Sequence, residues 1–188
     1  MTEIVPCSAG WPQEFLRLGR TLRHKLDPLA LRIEHISSTS VPGLGAKDVI
    51  DLQVTVEEPK PEFSRALARL GYSQVEAATD HVPPGARAQP ADWSKWLFKA
   101  PRDKRAAQLH VSVVGRPNQR YPLLFRDYLR AHRNAAQSYE RVKVALAARH
   151  PEDSVADQRV KDPVRDLVIQ VPGARAASTA WQPRASDV

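Results

Sequence analysis

A single cysteine, Cys7, in 188 residues excludes an intramolecular disulfide and any cysteine-rich zinc site. No apolar run approaches the ~20 residues that span a bilayer, and the first residues lack the basic start and apolar core of a secretory signal. A soluble cytoplasmic protein with no membrane partner is therefore expected. No internal repeat is present, nor any RNA-binding signature of the RRM or KH kind. Acidic residues are outnumbered, 21 against 28 Lys and Arg, for a formal charge of +7. That balance draws anionic partners over long range without choosing among nucleotides, tRNA and acidic metabolites, and a solvated basic surface would give the same excess.

What is present is enough apolar material, 42% of residues, for one sizeable core. One domain over residues 1–171 is expected, followed by a polar, disordered tail over 172–188 that carries a lone Trp181. The oligomeric state is not legible.

Periodicity orders the elements. Trp11-Pro12 opens a helix in which Phe15, Leu18, Leu22 and Leu26 recur at spacings of three and four. Leu31 to Ile36 alternates as a strand, with Ile33 and His35 on one side and Glu34 on the other. Ile50, Leu52, Val54 and Val56 form the apolar face of the clearest strand, leaving Asp51 and Gln53 opposite. A helix over 61–70, a short strand at 72–75, a proline-rich loop or lid at 80–92 and strands at 93–99 and 108–114 follow. Beyond Gly115 the pattern is helical to about Val171.

Between the first two strands lies Ser38-Thr39-Ser40, then the bend Pro42-Gly43, then Lys47. Three hydroxyls, turn amides and a cation in one bend suit a phosphate. Ser38, Thr39, Ser40 and Lys47 are thus candidate ligands for a small anionic or phosphorylated molecule. Arg126 and Arg130 are added from the helical region, where Asp127 is expected to pair with another basic residue because helix neighbours diverge. Lys143 and Lys161 are weaker candidates. Asp51 and His110 fall on the polar sides of their strands. If both strands turn their apolar sides to the same helices, the two meet and could exchange a proton or share a metal. A sheet wetted on one face gives the same pattern.

The block His35-Ile-Ser-Ser-Thr-Ser-Val-Pro-Gly-Leu-Gly-Ala-Lys47, followed by Val49-Ile-Asp-Leu52, resembles the signature of the GrpB family. Trp11-Pro12 with Phe15, Leu109-His-Val111, Phe125-Arg-Asp-Tyr-Leu-Arg130, Tyr139 with Lys143, and Lys161 recur in that family's order. The resemblance covers roughly residues 3–170 and implies a fold like that of the nucleotidyltransferases. The expected class is accordingly α+β: a small mixed sheet of nucleotidyltransferase type covered by helices, with a C-terminal helical segment walling the site. The chain departs from the family pattern at Ser37 (usually Gly), Asp48 (Pro), Gln108 (His) and Asp157 (Tyr). A Cβ at position 37 is expected to loosen or reshape the pocket.

Nucleotidyl transfer usually needs two divalent ions about 4 Å apart, held by at least two carboxylates on one strand face and a third nearby. Here Gln53 stands where the second would be, and Asp48 is out of phase with Asp51. Mg²⁺ or Mn²⁺, if used, is expected to bind weakly through Asp51. The leading expectation is a nucleotidyltransferase-like protein that binds a phosphorylated ligand at the Ser-Thr-Ser turn, catalytic through Asp51 and His110 or a non-catalytic relative. The alternatives are a tRNA-dependent transferase that makes peptide bonds from aminoacyl-tRNA, to which the resemblance and the basic balance point, and an interaction domain.

Overall fold

The computed structural model describes residues 3–76, 79–86, 89–149, 160–170 and 181–188. The chain runs α1 (Trp11–Leu26), β1 (Arg32–Ile36), a 3₁₀ turn (Ser38–Ser40), β2 (Ile50–Val56), α2 (Pro61–Arg69), β3 (Ser73–Val75), α3 (Pro90–Trp93), β4 (Trp96–Lys99), β5 (Ala107–Val113), α4 (Pro117–Ala131) and α5 (Arg133–Arg149). Residues 160–170 are helical and are called α6.

The strands form one mixed sheet in the order β1-β2-β5-β4-β3. β1 and β2 are antiparallel, whereas β2 and β5 are parallel, with Asp51 beside Gln108 and Gln53 beside His110. The alternating apolar residues do what their period requires. Ile33, Ile50, Leu52, Val54, Leu109 and Phe98 point to one side and are buried against Trp11, Phe15, Leu22 and Leu26 of α1 and Phe63 and Leu67 of α2. Burial of each such side chain stabilises the fold by about 1.5–3 kcal/mol. Proline at the start of α1 and α2 lacks only an N–H that has no partner in the first helical turn.

The opposite side of the sheet is not simply wetted. Gln53, Thr55 and Ser112 are fully or nearly fully buried there, and Gln53 Nε2 donates to the Gln119 carbonyl of α4 at 2.8 Å. A second apolar cluster lies beyond it, joining Val41 and Leu44 after the turn to Phe125, Leu129, Ala136, Tyr139 and Ile169 of the C-terminal helices. Among the described residues no helix is long and apolar enough to cross a membrane.

Of the tail expected to be disordered, residues 181–188 lie against the fold, while 172–180 lie outside the described residues. Trp181 lies 5.6 Å from the Arg120 guanidinium, which stands over its ring. Ser186 and Asp187 hydrogen-bond to β1. Composition reads the segment as polar, and polar side chains are what the unpaired edge of β1 takes up.

Ser37 stands at the entry to the turn. It adopts φ 61°, ψ −165°, a region that glycine occupies freely and other residues enter at a cost of about 1–3 kcal/mol. The conformation is held because the Ser37 carbonyl accepts from Ser40 N at 3.2 Å and Ser40 Oγ at 2.5 Å. Replacing Ser37 with Gly removes the Cβ penalty and gives back part of it through the more flexible unfolded chain. Ser37→Gly should therefore raise the unfolding free energy by about 1 kcal/mol in urea denaturation, while Ser37→Ala should give no gain.

Candidate functional site

The turn is tied down from both sides. On the sheet side His35 is sandwiched in the core, its ring stacked on Phe15 with centroids 4.7 Å apart. Its Nε2 is 3.0 Å from Thr39 Oγ1. On the helix side Lys143 of α5, 3% exposed, donates from Nζ to Ser38 Oγ at 2.9 Å and to the Gly45 carbonyl. One helical turn earlier, Glu140 Oε1 accepts from Gly45 N at 2.7 Å. A Cβ at position 45 would sit 2.2 Å from that carboxylate oxygen, so glycine is what admits the contact.

A cavity of about 280 Å³ opens beside the turn, lined by Ser38, Thr39, Lys47, Asp51, His110, Lys143 and Lys161 among others. Of the residues proposed from sequence, Ser38, Thr39, Lys47, Asp51 and His110 are thus brought together. His110 Nε2 is 3.4 Å from Asp51 Oδ1, a long contact made possible by the parallel register of β2 and β5.

Ser40, Arg126 and Arg130 are not among the residues that line the cavity. Ser40 turns its hydroxyl back onto Ser37, and Arg130 Nε donates to the Ser40 carbonyl at 2.9 Å. Arg126, 4% exposed, bonds Asp127 Oδ1 at 2.8 Å, the His35 carbonyl at 3.0 Å and Asp187 Oδ2 at 3.1 Å. The long Arg126 side chain reaches its helix neighbour Asp127, whose Oδ1 also lies 3.9 Å from Nη1 of Arg130, a second basic residue of α4.

The other wall was not foreseen. Asp80, His81, Trp93 and Lys95 come from the loop after β3 and from its short helix, and Asn118 and Tyr121 from α4. Asp80 pairs with Lys95 and accepts from Asn118 Nδ2 at 3.3 Å. His81 Nε2 meets Asp166 Oδ2 of α6 at 2.7 Å, and the Tyr121 hydroxyl donates to Asp166 Oδ1 at 3.1 Å. Asp80 and His81, at the start of the proline-rich segment, thus line the cavity, and His81 joins that segment to α6. Its only sequence signal was its proline content, which marks a loop without saying where it folds.

The donor set does not fit a tightly held divalent ion. Asp48 lies away from the cavity, accepting from Trp11 Nε1 at 2.7 Å and pairing with Arg105. Gln53 is committed to α4. Among the described residues no group of three or more His, Cys, Asp or Glu side chains could hold a metal. Asp51 and His110 alone would leave most of an ion's coordination to water and ligand oxygens.

Burial, with Arg130 next, lowers the His35 pKa to about 4. Burial, with Asp166 beside it, holds the Tyr121 phenol protonated far into the alkaline range. Burial raises Glu34 against the opposing pull of Arg32.

The sequence profile described as GrpB protein matches residues 1–170. A UPF0157 protein of Pseudomonas aeruginosa is 34% identical over 181 residues, covering 94% of this chain and 69% of that protein. A dephospho-CoA kinase of Mycolicibacterium paratuberculosis is 33% identical over 195 residues, covering 96% of this chain. The chain spans only 48% of that kinase's length. Among solved structures, the conserved protein GrpB from Enterococcus faecalis superposes with TM-score 0.71 at 24% identity, covering 90% of this chain and 98% of that one. A cytoplasmic RNA terminal U-transferase superposes with TM-score 0.51 at 18% identity, covering 80% of this chain and 43% of that one. Both likenesses speak to fold, which is of the nucleotidyltransferase type.

His35 makes stability pH-dependent. Its pKa falls from about 6.5 in the unfolded chain to about 4 when folded. Between those values the unfolded chain binds the extra proton, so the contribution is complete above pH 6.5 and is lost as pH falls toward 4. The slope is about 1.4 kcal/mol per pH unit. Urea denaturation at pH 7.0, 6.0 and 5.0 should show this acid loss in the wild type and a shallower one in His35→Gln.

Proposed function

We propose a binding site for a phosphorylated ligand in this chain, which belongs to the GrpB family and has a nucleotidyltransferase-like fold. The phosphate would lie against Ser38 and Thr39, with Lys47, Lys143 and Lys161 supplying positive charge and the remainder of the ligand extending toward Asp51 and His110. The observation that carries this reading is the contact of Lys143 Nζ with Ser38 Oγ at 2.9 Å, which places cation and hydroxyl at one point of the cavity wall. Charge-assisted donors of this kind bind phosphate oxygens about twice as strongly as neutral ones.

A nucleotide or similar molecule fits the volume and the mixed lining, in which Trp93, Tyr121 and Phe125 face the polar groups. Where a divalent ion takes part, Asp51 would hold it together with the ligand's own phosphates, so metal and ligand would bind cooperatively. His110 beside Asp51 is placed to accept a proton from an acceptor hydroxyl.

The activity in the name of the mycobacterial relatives is not carried over. The chain contains no Gly-Lys dipeptide and hence no G-x-x-x-x-G-K-[ST] loop. The tRNA-dependent alternative draws on net charge. Among the described residues the exposed large apolar side chains are Leu31, Val114, Val144, Val160 and Leu167, none aromatic, so no stacking platform for single-stranded RNA favours it.

Isothermal titration with nucleoside mono- and triphosphates, with and without Mn²⁺, tests the proposal. Binding is expected, Ser38→Ala should weaken it about tenfold, and Mn²⁺ should tighten it in the wild type but not in Asp51→Asn. Absence of binding to any nucleotide or phosphorylated metabolite, or equal binding by Ser38→Ala, would reduce the turn to a structural device.

A further inference from the structure

β1 is an edge strand, bonded to β2 on one side only. Its outer side is covered by residues 184–188, and the cover is made by side chains. Ile33 N donates to Ser186 Oγ at 2.9 Å, and the same hydroxyl lies 3.1 Å from the Ile33 carbonyl. Two residues on, His35 N donates to Asp187 Oδ2 at 2.9 Å. The His35 carbonyl accepts from Arg126 Nη1 at 3.0 Å, and that nitrogen reaches Asp187 Oδ2 at 3.1 Å. A serine and an aspartate thus occupy successive outward amides of the strand, and a buried guanidinium reads the carboxylate.

The flanking contacts extend the match. Arg32 donates to the Arg184 carbonyl, and Arg23 Nη2 to the Val188 carbonyl at 2.8 Å. Val188 Cγ2 lies 2.6 Å from where a Cβ on Gly19 would be, so the α1 surface is hollowed to receive that side chain. Arginines from α1, β1 and α4 therefore converge on one extended segment. Arg126, expected from sequence as a phosphate ligand, here meets the Asp187 carboxylate.

We propose that the outer edge of β1 is a recognition site for an extended acidic peptide of the form Ser-Asp-apolar, occupied in this chain by its own residues 186–188. The mode is side-chain capping of a sheet edge: the outward amides of Ile33 and His35 align the Ser and Asp side chains, and Arg126 with the hollow at Gly19 gives the selectivity. The site lies outside the cavity, so it stands whether or not a phosphorylated ligand binds there. Tethering keeps the intramolecular segment at an effective concentration in the millimolar range, which hides the site from peptides added to the intact protein.

Amide hydrogen exchange followed by NMR tests this on the full chain. In Ser186→Ala/Asp187→Asn, the amides of Ile33 and His35 should exchange at least tenfold faster than in the wild type, while Leu52 and Leu109 in the sheet centre stay protected. A synthetic peptide Arg-Ala-Ser-Asp-Val at millimolar concentration should restore the protection, and Arg-Ala-Ser-Asn-Val should not. The single variant Asp187→Asn, which keeps Ser186, should lose protection at His35 alone and serves if the double variant unfolds. Unchanged exchange in both variants, or restoration by both peptides or by neither, would overturn the proposal.

Discussion

The Lys143 ammonium is the tie on which the candidate site depends. It is 3% exposed, reaches Ser38 Oγ and the Gly45 carbonyl across the loop between β1 and β2, and lies 5.2 Å from the Tyr139 ring. Burying a cation is expensive unless its donors are taken up and its charge is met by dipoles or π electrons. The hydroxyl, the carbonyl and the ring do this together. Glu140, accepting from Gly45 N, makes α5 hold both polar groups of one residue. Without these contacts the turn would keep its sheet-side anchor, His35 on Thr39, and the Arg130 contact to the Ser40 carbonyl.

The turn also stands where two apolar clusters meet. Upstream, β1 belongs to the core shared with α1, α2 and the other strands; downstream, Val41 and Leu44 belong to the cluster of α4, α5 and α6. A segment fixed by packing at both ends can hold Ser37 in a backbone region that its own Cβ disfavours. The cavity is the space left between the polar side of the sheet and helices that stand back from it at Asp51 and His110, while α4 closes directly over Gln53.

Much of this was legible as period. The alternation Ile50, Leu52, Val54, Val56 and that of Leu109, Val111 placed Asp51 and His110 on one side, as the register shows. Strand order was not legible that way and came through the family resemblance. Side-chain partnerships were the least accessible. Asp187 lies 152 residues from His35, and Asp166 lies 85 from His81; pairings so distant leave no trace in local spacing. Arg126 and Arg130 were read from sequence as phosphate ligands, whereas the carboxylate and carbonyls they meet are decided by packing. The lid was visible only as proline content, since its contacts through Asp80 and His81 are made by isolated residues without a repeat.

The reduced acidic set limits what chemistry the fold can perform without help from its ligand. Asp51 lines the cavity, while Gln53 and Asp48 are engaged elsewhere. Under the proposed function a phosphorylated ligand would therefore bring part of any metal site with it. The most direct measurement is a crystal structure of the protein with a nucleoside triphosphate and Mn²⁺. Phosphate oxygens about 3 Å from Ser38 Oγ and Lys143 Nζ are the predicted result. A ligand seated away from the turn, for instance against Arg126 with Asp187 displaced, would contradict it.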